Sequence, residues 1–499
     1  MKKIVTFRNI KEKSCKDVVI IDLYSCNSEL NKNLILKKKK LKLIIDNLND
    51  TGSLWVICKN YITDNGIMPN CFEIAAYISQ SGLTLRNIII WFLPINISSS
   101  YHRLTNRYSY IFFFVKNVNK YFFNKDAIRE KHIWKDVEWG KRADRYNSLG
   151  KDPGNVWLKT NDDGKGKITQ HLPLSYEDVL NRIKLVACPK EGEIAIYSKK
   201  IIEFKNLLIS PIYPLMDKRC SNSVSEPKPL TSNQKCIKPF KKLVFKVFNK
   251  TSENLDILNN NKVDLIVTSP PYWDMKNYKI KDQIGYSESY ENYLSRIKKV
   301  WEECYRVLSD KGTFWLNINT KTHNKEIRMI NYDFYKQCKE IGFKLWDIVI
   351  WHKSVSGPAK NNNLADKFEY ILVFYKKPGF YFNKNYEFTN CDYRISSLKN
   401  MGNVWNINRY WGSIGKNYPH PAMYPDELIE RILRFSTVKG DLVFDPFLGS
   451  GTTLIVAKKL SRACIGFEIN LDYFSILKSR LKEENLENLF TQNERVEFL

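Results

Sequence analysis

Apolar residues in this chain gather into short runs of strand length, and the stretches between them carry a helical period. SLWVI at 53–57, NIIIWFL at 87–93 and YIFFFV at 110–115 are such runs in the first part of the chain. TFWLNI at 313–318, DIVIWH at 347–352 and YILVFY at 370–375 answer them further on. Their β-branched and aromatic residues predict buried strands. YENYLSRIKKVWEECYRVL at 290–308 spaces its apolar residues three and four apart, which predicts an amphipathic helix. Strands alternating with helices predict a doubly wound, mostly parallel α/β sheet.

The pattern occurs twice. TGSLW at 51–55 returns as KGTFW at 311–315, an offset of 260 residues. At the same offset Gly82 falls on Gly342, IIW at 89–91 on VIW at 349–351, and YIFFFVK at 110–116 on YILVFYK at 370–376. GNVW at 154–157 recurs at 402–405, and HLPLSYEDVLNRI at 171–183 recurs as HPAMYPDELIERI at 420–432, with the offset now 248 and 249. Chance matches do not keep order and register over so much chain, so an internal duplication is expected. Residues 1–200 read as one domain and 247–499 as the other, with 201–246, rich in Pro, Ser and Lys, as a linker. Two loops are missing from the first copy. DVVIIDLYSC at 17–26 stands where the second copy has VDLIVTSPPYW, and GEIAIYSKK at 192–200 stands where it has GDLVFDPFLGSGTT. The N-terminal copy is therefore read as degenerate: scaffold kept, loops gone.

Composition narrows the class. A chain of 499 residues can bury two cores. Its apolar runs are too short to span a bilayer, and MKKIVTFRNIKEK offers no secretory signal, so no membrane contact and a cytoplasmic location are expected. The 11 cysteines form no CxxC pair, which argues against a disulfide framework and against a zinc site; no metal is expected. A formal charge of +26 points to a polyanion, most simply nucleic acid. That signal is diluted, because Lys, Asn, Ile, Tyr and Phe are abundant throughout.

The chemistry sits in the two loops. VDLIV at 263–267 runs into TSPPYW at 268–273. Neither proline can donate to a ladder, and Ser269 is kept out of helical conformation by the proline after it. The strand must stop in a rigid extended loop with carbonyls left to accept. Alone, this is a turn after a strand. Further on, LVF ends in Asp445, followed by a glycine-rich turn and the helical stretch TTLIVAKKL. Gly449 and Gly451 let backbone approach a ligand, and the helix N-terminus offers N–H groups to an anion. The next strand, ACIGFE, ends in Glu468, 23 residues beyond Asp445 and suited to ribose hydroxyls. The loop is FxGxG, without GxGxxG or GK[ST], so S-adenosylmethionine suits it better than a dinucleotide or a nucleoside triphosphate.

TSPPYW followed by DPFLGSGTT is similar to the pattern of site-specific DNA amino-methyltransferases, in the permuted order usually called β. The likeness runs from about 247 to 485. It takes in DQIGY at 282–286, RVLSDKGTFWLNI at 306–318, WHKSVSGPAKNNNLADKFEYIL at 351–372, HPAMYP at 420–425 and GFEIN at 466–470. The first half resembles the family only through its scaffold. The resemblance implies the S-adenosylmethionine-dependent methyltransferase fold and double-stranded DNA as substrate. Ser269, Pro270, Pro271 and Tyr272 become the candidate catalytic residues. The Ser269 hydroxyl and the Pro270 carbonyl would accept from the two N–H groups of an exocyclic amine and free its lone pair, and Tyr272 would stack on the flipped base. The candidate cofactor residues are Thr268, Asp445, Pro446, Phe447, Gly449, Ser450, Gly451, Thr452 and Glu468, with His420 and Pro421 near the methionine end. Asp282 is equally read as a loop residue.

One departure stands out: where the family carries Gly-Asp before the catalytic strand, this chain has Asn249-Lys250. Residues 377–419, aromatic and basic, are the expected target-recognition segment, with a packed subdomain as the equal alternative. Serine at the head of the loop favours cytosine N(4) over adenine N(6) as the methylated amine, and Trp273 either narrows the base pocket or belongs to the core. A restriction–modification setting with a cognate endonuclease acting on the same site, or an orphan modification enzyme, and a monomeric state follow as expectations. The rivals are a catalytically weak DNA-binding relative, supported only by Asn249-Lys250, and a methylase of RNA or protein.

Overall fold

The computed structural model describes residues 3–6, 16–24, 38–94, 103–130, 147–162, 168–198, 243–274, 277, 280, 282–353, 359, 362–383, 394–395, 398–399, 402–409, 423, 425–483 and 496–499. The strands of the first half are β1 (Lys3–Thr6), β2 (Lys16–Asp22), β3 (Leu48–Cys58), β4 (Tyr61–Thr63), β5 (Gly66–Met68), β6 (Thr84–Phe92), β7 (Tyr108–Val115), β8 (Val156–Trp157), β9 (Lys159–Asp162), β10 (Ile168–Leu172) and β11 (Ile194–Ser198). Its helices are α1 (Lys38–Asp46), α2 (Asn70–Gln80) and α3 (Tyr176–Ala187). The second half begins with β12 (Phe245–Phe248), β13 (Val263–Thr268), β14 (Leu308–Ile318), β15 (Lys321–His323), β16 (Glu326–Arg328), β17 (Lys344–His352) and β18 (Phe368–Tyr375). It continues through the short pair β19 (Arg394–Ile395) and β20 (Leu398–Lys399) to β21 (Val404–Asn406), β22 (Leu442–Asp445), β23 (Ala463–Phe467) and β24 (Val496–Phe498). Its helices are α4 (Tyr290–Val307), α5 (Ile330–Ile341), α6 (Asp426–Ser436), α7 (Thr452–Lys459) and α8 (Leu471–Glu483).

Two sheets carry the fold, ordered β1-β11-β2-β3-β7-β6-β8 and β21-β17-β18-β14-β13-β22-β23-β12-β24. One strand in each runs against its neighbours: β7 is antiparallel to β3 and β6, and β18 to β14 and β17. The expected mostly parallel α/β sheet is present in both halves. The two sheets match strand for strand from β11-β2-β3-β7-β6-β8 to β22-β13-β14-β18-β17-β21. The match reaches side chains. Trp55 Nε1 donates to Ser53 Oγ at 2.9 Å, and Trp315 Nε1 to Thr313 Oγ1 at 3.1 Å. Each indole N–H thereby finds the partner that burial demands. Trp55 stacks on Trp157 at 6.2 Å and Trp315 on Trp405 at 5.9 Å. Even the bulges recur, between Leu85 and Asn87 and between Leu345 and Asp347.

Local signals set the helices. Ser175 opens α3 with a capping box: its hydroxyl accepts from Asp178 N, and its own N–H donates to the Asp178 carboxylate. Ser289 caps α4 by accepting from Asn292 N, and the helix buries Tyr293, Ile297, Val300, Trp301, Cys304 and Val307 as one stripe. Among the described residues no helix is long and apolar enough to cross a membrane.

Two boundaries differ from expectation. β12 starts at Phe245, inside the stretch read as linker, because Phe245 and Val247 are buried between β23 and β24. Of the segment read as target-recognising, Phe380 and Phe382 pack on Trp346, and Trp405 is buried in β21. At the described ends of 377–419, Phe380 and Phe382 are half-buried and Trp405 and Ile407 are buried, while Lys377, Asn408 and Arg409 stay exposed; 384–393, 396–397, 400–401 and 410–419 lie outside the described residues.

The halves meet reciprocally. Hairpin β4–β5 lies against β17, and hairpin β15–β16 against β6. The turn carbonyl of Asn65 accepts from Tyr375 Oη at 2.6 Å, and that of Lys325 accepts from the Arg86 guanidinium. These element pairs are each related by the 260-residue offset. Each half thus offers the other the same patch, the signature of a two-fold interface, here within one chain.

Candidate active site

The two loops picked from the sequence come together at the C-terminal ends of β13 and β22, neighbours in the sheet. A buried cluster joins them. Thr268 Oγ1 donates to Asp445 Oδ1 at 2.7 Å, Thr453 Oγ1 to Asp445 Oδ2 at 2.7 Å, and Phe447 N to Asp445 Oδ1 at 3.0 Å. Burial nevertheless pushes the Asp445 carboxyl up to about 6, against these three donors. Asp445 thus ties the proline-pair loop to the glycine loop. Pro446 is held from the other side, its carbonyl accepting from Ser252 Oγ.

The glycine loop turns through left-handed backbone at Gly449 (φ 56°) and Gly451 (φ 81°). A Cβ on Gly451 would lie 2.2 Å from Leu477 Cδ1, so helix α7 can start there only with glycine. Beneath the loop, the buried Arg480 donates to the Ser450 carbonyl at 3.0 Å and to Thr452 Oγ1 at 2.8 Å. Ser450 and Thr452 are engaged from the α8 side. Glu468 closes the loop from β23: its carboxylate accepts from Gly449 N at 2.8 Å and from Asn470 N at 2.7 Å. Burial raises that carboxyl to about 7. The unusual Asn249 has work of its own here. Its amide donates to the carbonyls of Glu468 and Ile469, both at 2.9 Å, and so fixes the backbone that carries Glu468.

In the proline-pair loop, Tyr293 Oη donates to the Pro271 carbonyl at 2.9 Å. Tyr272 Oη donates to Glu369 Oε2 at 2.9 Å, and Asn317 Nδ2 reaches Tyr272 Oη at 3.0 Å and Glu369 Oε2 at 2.7 Å. Ser269 Oγ lies 3.4 Å from Tyr272 Oη. Lys353 pairs with the other Glu369 oxygen. Burial opposes charge on Glu369, but the Lys353 ammonium and the donors from Asn317 and Tyr272 hold its carboxyl below the usual range. Trp273 is core: it is buried, donates from Nε1 to the Glu288 carbonyl at 2.9 Å, and packs on Tyr290. The Asp282 side chain is exposed, and its backbone carbonyl accepts from Arg296. His420 and Pro421 lie outside the described residues.

Sequence reasoning missed Glu369, Asn317 and Lys353. The signal was an acid inside the apolar strand FEYILVFY, with a lysine just past the end of IVIWH.

A family model described as DNA methylase matches residues 16–244 and 263–479, most of the chain and both halves. This chain is a member of the DNA methylase family. Among relatives, the type II methyltransferase M.HpaI of Haemophilus parainfluenzae is 33% identical over 237 residues, 46% of this chain and 70% of the relative. The orphan methyltransferase M.BamHII of Bacillus amyloliquefaciens is 34% identical over 249 residues, 44% of this chain and 89% of the relative. Among solved structures, PvuII DNA methyltransferase (cytosine-N4-specific) aligns with 52% of this chain and 98% of its own at a TM-score of 0.41 and 20% identity. The methylase gathers its polar residues where open α/β sheets hold their ligands, at the carboxyl ends of the strands.

Proposed function

We propose that this methylase moves a methyl group from S-adenosylmethionine to the exocyclic amine of a base flipped out of a specific site in duplex DNA, with cytosine N(4) favoured over adenine N(6). The observation that carries the reading is the buried Thr268–Asp445–Thr453 cluster, which sets an intact TSPPYW loop beside a glycine loop. When bound, S-adenosylmethionine supplies a methyl group on a sulfonium, an electrophile for nitrogen. The donor set fits it. The Glu468 carboxylate, already aligned by two backbone N–H groups, suits ribose hydroxyls, and the start of α7 suits the amino-acid head. Half-buried Phe447 would take a face of the adenine.

Ser269 and the Pro270 carbonyl would accept from the amine, drawing its hydrogens aside so that the lone pair faces the methyl group. With the Pro271 carbonyl taken by Tyr293, the loop cannot swing to spoil that pair. Positioning supplies the rate, without a covalent intermediate. Serine rather than aspartate at the head of the loop supports cytosine. The seam within one chain supports a monomer, and a cognate endonuclease for the same site fits a restriction–modification role.

The test is transfer of a tritiated methyl group to duplex DNA, RNA and protein in parallel, followed by nucleoside mass spectrometry. Label in duplex DNA as N(4)-methylcytosine is expected. N(6)-methyladenine alone would overturn the base assignment and leave the rest. Duplex binding with no transfer to any acceptor would favour the catalytically weak relative.

A further inference from the structure

The first half has no proline-pair loop, yet it touches the segment that steadies the one in the second half. Asn155, buried and contributed by the first half, accepts at Oδ1 from Lys367 N at 2.8 Å and donates from Nδ2 to Asp366 Oδ1 at 3.2 Å. Backbone bonds flank it, Asn155 N to Ala365 O and Ala365 N to Pro153 O, both 2.9 Å. Two residues on from Lys367 is Glu369, which holds the Tyr272 hydroxyl. Asp366 also accepts from Asn319 at 2.8 Å, just past the end of β14, the strand that supplies Asn317. Lys367 N–H, Asp366 and Glu369 thus form one short stretch clamped by the first half on one side and gripping the Tyr272 loop on the other.

The two-fold relation supplies a matched contact whose bonds run to Asn106, Arg107 and Asp347 and not to the Glu369 stretch. Asn403 Oδ1 accepts from Arg107 N at 2.9 Å, and Asn403 Nδ2 donates to Asn106 Oδ1 at 3.2 Å. Asn403 is the counterpart of Asn155, and Asn106 and Arg107 are the counterparts of Asp366 and Lys367. Both clasps have glycine beside them: a Cβ on Gly154 would lie 2.3 Å from Lys367 Cδ, and one on Gly402, at φ +60°, 2.3 Å from Arg107 Cγ. The construction is the same. Only one copy has a Glu369 behind it; at the equivalent place the first half has Ser109, whose hydroxyl donates to the Cys58 carbonyl.

We propose that the degenerate half is an internal activating subunit, with Asn155 as a positioning residue that sets Glu369, and through it Tyr272 and Ser269, for methyl transfer. The proposal rests on the function given above and names what tunes that site. It is tested on the full chain with Asn155→Ala, Glu369→Gln, their combination, and Asn106→Ala as the matched clasp. Asn155→Ala should lower kcat by about tenfold or more with S-adenosylmethionine affinity unchanged, whereas Asn106→Ala should shift the melting point alone. The combined variant should be no slower than Glu369→Gln, because both substitutions act through one contact. Losses that multiply, or equal losses from Asn155→Ala and Asn106→Ala, would overturn the proposal. Should Asn155→Ala not fold, Asn155→Asp with Asp366→Asn exchanges donor and acceptor across the same contact: kcat restored relative to Asn155→Asp supports the clasp, and kcat not restored overturns it. Hydrogen exchange of residues 269–274 reads the same loop without turnover. It should quicken in Asn155→Ala and not in Asn106→Ala, and an unchanged rate counts against the clasp even if the wild type methylates nothing. A wild type that leaves every acceptor unlabelled would instead sink the function on which the proposal rests.

Discussion

Sheet register lets the two halves be compared residue by residue at their strand ends. Val18 pairs with Ser53 and Ile194 in the first sheet as Leu265 pairs with Thr313 and Val443 in the second. Ile21 therefore stands in the place of Thr268, and Asp22 in that of Ser269. Ile196 likewise stands in the place of Asp445. The second half buries a carboxylate and surrounds it with three donors. The first half buries Ile21 and half-buries Ile196 at those two places, and its own buried carboxylate, Asp22, stands one residue on, accepting from Tyr24 N at 2.9 Å and Ser198 Oγ at 3.0 Å. Ile21 gains about 1.5–3 kcal/mol from its burial and, where Thr268 and Asp445 stand in the second half, the first half has no carboxylate to desolvate. Packing preserves a sheet without regard to chemistry, whereas a site needs a few polar groups that packing alone would discard.

The sharpest break in the comparison should come at the loop itself. Ser269→Ala should cut methyl transfer by about a thousandfold while cofactor binding holds, because the lost acceptor matters in the transition state. Asp22→Ala, at the matching place in the first half, should leave transfer within about twofold once allowance is made for folding. Comparable losses from both would mean that the first half takes part in the chemistry. Next comes the cluster. Calorimetry should find one S-adenosylmethionine per chain, and Thr268→Ile with Asp445→Ile, which copies the first half, should weaken it by about a hundredfold or more. Two sites in the wild type would end the assignment of a degenerate copy. The smallest effect is on stability. Glu468 and Asp445 are raised by burial to about 7 and about 6, so these two carboxyls bind protons more tightly in the folded chain than in the unfolded one between about pH 4 and 7, while the buried His352 imidazole, pushed well below its ordinary range, acts the other way. The carboxyls' contribution to unfolding free energy should fall as pH rises through that window and level off above it. Glu468→Gln should remove its own share of that fall, on the order of 3 kcal/mol in a denaturant titration. A Glu468→Gln profile that keeps the wild type's full dependence on pH would contradict the burial of that carboxyl.

Much of this was legible in the chain. The strands stood out because strands buried on both faces are continuous apolar runs, and the likeness of the two sheets because YIFFFVK and YILVFYK keep one frame. Thr268, Asp445 and Glu468 could be singled out because their loops are short and local. Glu369 was not, since its partner Tyr272 is far away in sequence and meets it only through the order β18-β14-β13. Asn155 was harder still. It serves a contact between halves, and sequence alone gives no sign of which faces meet. Trp273 and Trp405 look the same on paper whether aromatic residues read DNA or fill a core; here these two are buried.

The hairpins that cross the seam have an evolutionary consequence. When two copies of one gene product meet around a two-fold axis, every substitution appears twice, and a change that ruins one active centre ruins both. With both faces encoded in tandem, that symmetry of inheritance is gone. Ile196 can replace an acid in one copy while Asp445 persists in the other, and the partner is always present at the high local concentration that a covalent tether guarantees. One copy is then free to drift, provided that it keeps the few residues its neighbour leans on.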